Sequence, residues 1–103
     1  MDAIAKIAWY ACAVRAADAL RRQPTCHDGF AQSFMMGTHA DEVWKQFRRM
    51  WGANAATAAR HRLIDDLLCQ LLARFPELPV LVLGAGFDTR AYRLPGGCWL
   101  EVD

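Results

Sequence analysis

The run Pro79-Val80-Leu81-Val82-Leu83, cut off by Gly84-Ala85-Gly86, constrains this chain more than any other feature. A short apolar run bounded by turn residues fits a strand buried on both faces, as in a parallel sheet. Pro76 and Pro79 stop the helix that comes before it. Residues 87–94 read as a short helical turn, Pro95-Gly96-Gly97 as a loop, and residues 98–103 as a second strand. The order is therefore helices, then β-turn-α-β.

Glycines at the carboxyl end of a buried strand let a ligand approach the backbone, because they lack Cβ. The helix start that follows offers unpaired N–H groups. Ligands of open parallel sheets bind beyond the carboxyl ends of the strands. Asp103 stands 19 residues after Gly84, at the end of the second expected strand. An acid at that distance accepts hydrogen bonds from ribose hydroxyls. The pattern points to a nucleoside-containing ligand. Dinucleotide binders carry a third glycine where Thr89 stands here. Its absence weakens a pyrophosphate site and favours a ligand without phosphates, such as S-adenosylmethionine. An ordinary strand-to-helix turn is the plainer reading of Gly-x-Gly.

Upstream, residues 2–22 read as an alanine-rich helix, with Ile4, Ile7, Ala11 and Val14 on one stripe. Arg15 and Asp18 lie on or beside that stripe, where an (i, i+3) pair or another helix would satisfy them. Residues 23–29 read as a turn. Cys26, His27 and Asp28 are metal-capable types, but three consecutive residues rarely converge on one ion, so no metal site is expected. Residues 30–51 suggest one or two short helices broken near Gly37. Residues 55–75 form the clearest helix, capped by Asn54 or Thr57. Its expected apolar face is Ile64, Leu67, Leu68, Leu71, Leu72 and Phe75, with Asp65, Asp66 and Gln70 opposite. Arg60 projects onto the apolar face, where its aliphatic stem packs or its charge meets a ligand. Arg62 projects away.

The charge balance excludes some partners. Twelve basic and eleven acidic residues give a net charge of +1, so no nucleic-acid-binding field is implied. Four widely spaced cysteines without a Cys-x-x-Cys pair fit a reducing cytosol. Charges and prolines interrupt every apolar stretch before it reaches membrane-spanning length. The start is also a poor secretion signal. A cytoplasmic location is expected, with no membrane partner.

The string 83–94, Leu-Gly-Ala-Gly-Phe-Asp-Thr-Arg-Ala-Tyr-Arg-Leu, resembles the signature of the leucine carboxyl methyltransferase family. That family includes protein phosphatase carboxyl methyltransferases and bacterial polyketide O-methyltransferases. Glu101-Val102-Asp103 is similar to the family's next motif, and residues 59–66 to its arginine-containing helix. Val14-Arg15-Ala16-Ala17 and Asp28-Gly29-Phe30-Ala31 resemble its N-terminal region. The resemblance implies an α/β fold: a helical cap over residues 1–54, then over 55–103 the first β-α-β of a Rossmann-like methyltransferase sheet, truncated. It implies S-adenosylmethionine as cofactor. Gly84, Ala85 and Gly86 would pass close to it, Asp103 would bind its ribose, and Arg15 and Arg60 would hold its methionyl carboxylate. Asp88, Thr89 and Arg90 would shape the turn, Asp88 capping and Arg90 bracing the next helix. The acceptor would be a small molecule or a carboxyl terminus. No catalytic residue is identified.

Class I methyltransferases need about seven strands, and this sequence supplies two. A partial chain with little or no turnover is the expectation, with self-association through exposed sheet edges as a consequence. A non-catalytic helical association module is the alternative. A nicotinamide-binding fragment is the weaker one, because of Thr89.

Overall fold

The computed structural model describes residues 3–103. Helix α1 spans Ala3–Ala19; position 2, where the expected helix began, lies outside the described residues. A turn and a short 3-10 segment, Ala31–Phe34, lead to α2, Thr38–Phe47. The break between them falls at Gly37, which has φ 103°. Helix α3 spans Trp51–Arg74, strand β1 Pro79–Leu83, the single-turn α4 Arg90–Arg93, and strand β2 Cys98–Val102. Among the described residues, β1 and β2 form one parallel pair, from Pro79 opposite Cys98 to Leu83 opposite Val102. The architecture is α/β, as expected, but β1 is not buried on both faces: Leu81 and Leu83 are 56% and 73% exposed, because nothing among the described residues covers that face.

Helix α1 is the hub. Small residues on its second half let neighbouring backbones approach closely. Cys12 and Ala16 pack with Ala31, and Phe34, Met35 and Phe87 close over them. Val14 packs with Cys26 and Ala58, flanked by Tyr10 and Trp44. Phe87 packs at a tilt between Trp9 and Phe34, with ring centroids 4.6 and 5.3 Å away. It pins the segment after β1 onto α1. The largest fully buried side chains are Thr89, Asp28 and Cys12, so polar groups occupy the centre of the molecule.

This polar centre overturns the expected helix faces. Ile4 and Ile7 are 82% and 67% exposed, while α1 buries Cys12, Ala13, Val14, Arg15, Ala16 and Asp18. Helix α3 buries Ala58, His61, Asp65 and Leu72, a stripe at helical spacing. Leu63, Ile64, Leu67, Leu71 and Phe75 are exposed. Periodicity marks two stripes on α3. The one carrying His61 and Asp65 turns inward because arginines from elsewhere meet it there.

The expected caps and pairs also change. Helix α3 starts at Trp51 behind Met50, which makes no side-chain cap. Asn54 instead holds the entry: its Nδ2 donates to the Phe47 carbonyl at 3.0 Å, and Oδ1 accepts from Tyr10 at 2.7 Å. Thr57 donates to the Ala53 carbonyl. Arg15 and Asp18 do not pair. Asp18 accepts the backbone N–H groups of Thr25 and Cys26 at 2.8 and 2.9 Å, organising the 23–29 turn. Arg62 does point to the surface, onto Asp66 at 2.8 Å.

Candidate functional site

The turn after β1 depends on glycine. Gly84 and Gly86 have φ of 61° and 52°, the left-handed region that side-chain-bearing residues avoid. The turn is tied to the end of β2. Ala85 N–H donates to the Val102 carbonyl at 3.2 Å, and Gly86 N–H to the Asp103 carboxylate at 3.2 Å. A Cβ on Gly84 would meet nothing within 4 Å, and one on Gly86 only Ala8 at 3.6 Å. Open space therefore lies beside both glycines. A cleft of about 280 Å³ runs beside Gly86, lined also by Ile4, Ala8, Trp9, Phe87 and Asp103.

Behind the turn lies a buried ionic network that joins four parts of the chain. Asp28 comes from the 23–29 turn, Arg15 from α1, His61 and Asp65 from α3, and Asp88, Thr89, Arg90 and Arg93 from the segment after the glycines. Asp28 accepts from Arg15 Nε at 2.9 Å and from Thr89 Oγ1 at 2.7 Å. Arg93 Nε donates to Thr89 Oγ1 at 2.7 Å, and its Nη1 to Asp65 at 3.0 Å. Arg90 donates to Asp65 at 2.7 Å and to Asp88 at 2.5 Å. Asp88 Oδ1 also accepts the Arg90 N–H at 2.8 Å. Arg90 thus braces the segment as expected, and Asp88 accepts the first N–H of the helix, although the N-cap position itself is Thr89, whose side chain makes no cap bond. Thr89, where a dinucleotide binder would have glycine, is fully buried in the network.

The electrostatics follow from this packing. Burial pushes the Asp28 carboxyl up, but Thr89, Arg93 and Arg15 together outweigh it and hold the group below its ordinary value. Asp18 is likewise driven up by burial, then held below its ordinary value by N–H groups of Thr25, Cys26 and His27. Burial and the neighbouring Asp18 carboxylate raise the Cys26 thiol to about 12, so it is an inert thiol. Burial, then the Arg90 charge, lowers His61 to about 4 against the opposing pull of Asp65. His61 is therefore neutral at pH 7, and its 3.6 Å approach to Asp65 is not an ion pair there. Its two ring nitrogens face Arg90 and Arg93 at 3.0 and 2.9 Å. A neutral imidazole has one acceptor nitrogen, so it takes a hydrogen bond from only one of them.

The structure brings most of the expected ligand residues around one end of the sheet. Gly84, Ala85, Gly86 and Asp103 meet at the carboxyl ends of the strands. Arg15 joins them through its Nη2, which donates to the Phe87 carbonyl at 2.5 Å. Arg15 and Arg60 line a second cleft of about 310 Å³ with Ile7, Tyr10, His61 and Ile64. Arg60 is exposed and makes no ion pair among the described residues. Arg15, Arg90 and Arg93 are each balanced by Asp28, Asp65 or Asp88, and among the described residues Arg60 is the cation of this cleft without an acidic partner. Cys26 and Asp28 are committed to Asp18 and to Arg15 with Thr89, and no cluster of three metal-capable side chains occurs among the described residues.

Sequence reasoning missed Asp28, His61, Asp65 and Arg93 as one unit. The available signal was the i, i+4 spacing of His61 and Asp65 on a stripe shared with Ala58 and Leu72.

A strand-end glycine turn facing an acid and braced by an Asp-Thr-Arg network is thus built from the residues that carry the family resemblance. The sequence profile described as leucine carboxyl methyltransferase matches residues 8–102, and the chain belongs to that family. It is also similar to a Streptomyces coelicolor protein named for S-adenosyl-L-methionine-dependent methyltransferase activity. The two are 30% identical over 99 residues, covering 86% of this chain and 32% of the relative. The chain thus spans about a third of that relative's length. No solved structure matched it. S-adenosylmethionine is the methyl donor that the family and the relative's name imply; here an acid and a glycine turn border one cleft, and Arg15 and Arg60 line the second.

Proposed function

We propose that this chain forms the S-adenosylmethionine-binding portion of an O-methyltransferase acting on a carboxyl or hydroxyl acceptor. In this reading β1, α4 and β2 are the first β-α-β of a Rossmann-like sheet. Residues 1–54 are a helical cap, and residues 55–103 begin the cofactor domain. The carrying observation is the Gly86 N–H facing the Asp103 carboxylate at 3.2 Å beside open space. Asp103 accepts the ribose hydroxyls, and the glycine turn lets the ligand lie against the backbone. Arg60 and Arg15 receive the methionyl carboxylate.

Bound S-adenosylmethionine supplies a methyl group on a sulfonium centre. The protein's part is to hold and orient that ligand. A carboxylate acceptor needs no general base, whereas a hydroxyl acceptor does. The described clefts are open, and two strands alone do not enclose an adenine. The 103-residue chain alone is therefore expected to bind the donor without measurable turnover. A cytoplasmic setting suits its four free thiols. No helix among the described residues is long and apolar enough to cross a membrane.

Calorimetric titration of the purified chain tests the assignment. S-adenosylmethionine should bind saturably, and Asp103→Ala should abolish the signal. A nicotinamide dinucleotide should give none, because Thr89 fills the place of the third glycine. Binding of the dinucleotide in preference to S-adenosylmethionine would reverse the assignment. A second reading, a non-catalytic association module, is favoured by the exposed apolar face of the sheet: Leu81, Leu83, Leu100 and Val102.

A further inference from the structure

Asp28 is fully buried, and its carboxylate is saturated. Oδ2 accepts from Arg15 Nε and Thr89 Oγ1. Oδ1 accepts the N–H groups of Phe30 and Ala31 at 3.1 and 3.2 Å, with Arg93 Nε 3.4 Å away. A carboxylate offers about four lone-pair sites, so Asp28 has no capacity left for a ligand. Its direct partner lining the cleft with Arg60 is Arg15.

Arg15 is held at two points of its planar fork. Nε donates to Asp28, and Nη2 donates to the carbonyl of Phe87, the residue directly after Gly86. Two fixed points set both the position and the plane of a guanidinium. One alone leaves it free to swing about the other. The Phe87 carbonyl is itself fixed, because the Phe87 ring is clamped between Trp9 and Phe34. Asp28 is likewise fixed by backbone N–H groups of its own turn. The fork therefore bridges two rigid anchors that lie 59 residues apart in the chain.

We propose that Asp28 is a positioning residue for ligand binding: it fixes the Arg15 guanidinium in the plane in which, with Arg60, it receives a carboxylate. This rests on the S-adenosylmethionine reading above. It adds that recognition of the carboxylate end depends on a buried acid that never touches the ligand.

The test uses Asp28→Asn, which keeps the shape and removes the charge, with Arg62→Gln as a surface control. Two ligands are titrated. S-adenosylmethionine carries the amino-acid carboxylate; 5′-methylthioadenosine keeps the nucleoside but is a neutral thioether without the aminobutyrate chain and its carboxylate. A charged hydrogen bond lost at a positioning group corresponds to about tenfold in affinity. Asp28→Asn should weaken S-adenosylmethionine by about that factor and leave methylthioadenosine within about twofold. Equal losses for both ligands, or no loss for either, would overturn the proposal. Arg15→Lys keeps the charge but cannot span both anchors, and should reproduce the selective loss; it decides the matter if Asp28→Asn does not fold. A ligand-free readout separates this proposal from the reading beneath it. In ¹⁵N-arginine-labelled protein the Arg15 Nε–H should exchange slowly, and faster in Asp28→Asn. Wild-type protein that binds neither ligand defeats the S-adenosylmethionine reading, and slow exchange unchanged in the variant defeats the role of Asp28.

Discussion

His61 sits among three arginines and one carboxylate: Arg90 and Arg93 from the segment after β1, Arg15 from α1, and Asp65 one turn along its own helix. Burial and these positive charges lower it from 6.5 to about 4. Between those values the unfolded chain takes up a proton that the folded chain refuses. Stability therefore rises with pH through this window and falls as pH drops through it. Asp28 and Asp18, both held below the ordinary carboxylate value, add losses only at lower pH, as the folded groups become protonated. Urea midpoints measured against pH should be highest above about 6.5 and decline toward about 4. His61→Gln should flatten that decline, and an unchanged slope in the variant would mean that His61 is not its source.

The segment after β1 owes its shape to two different devices. The glycine turn needs positive φ, so Gly86→Ala should destabilise by about 1–2 kcal/mol for conformational reasons, since Ala8 leaves room for the added methyl. The single-turn α4 is too short to hold itself and depends on Arg90. Arg90→Leu leaves Asp88 without a guanidinium and Asp65 with Arg93 alone, and should cost about 3–5 kcal/mol in chemical denaturation. A loss under about 1 kcal/mol would show that solvent replaces the guanidinium. These elements differ in how far the sequence discloses them. The strand Pro79–Leu83, the glycine turn, the break at Gly37 and the second strand all follow from local signals: prolines, glycines and a short apolar run. The faces of α1 and α3 do not. Nothing local to Asp65 says that Arg90 and Arg93 will reach it from 25 and 28 residues away, so the polar stripe looks like a solvated one. Arg15 is legible as an arginine aimed inward, but its partner Asp28 lies in a turn whose acid looks like loop polarity.

Across the whole molecule, buried apolar side chains are mostly small, and the large ones lie outside. Leu81 opposite Leu100, and Leu83 opposite Val102, form a continuous exposed face on the sheet, and both outer strand edges are unpaired among the described residues. Such a surface associates in water. Sedimentation should show mass rising with protein concentration, and the double change Leu81→Lys with Leu100→Lys should keep the chain monomeric. The ligand site proposed above lies at the other end of the sheet. Titration of S-adenosylmethionine into ¹⁵N-labelled protein, followed amide by amide, reads it residue by residue. Saturable shifts are expected at Gly84, Ala85, Gly86, Phe87 and Asp103, with Arg60 side-chain signals moving in parallel. Shifts confined to the separate cleft bordered by Trp44 and Trp51, or none at saturating ligand, would contradict it.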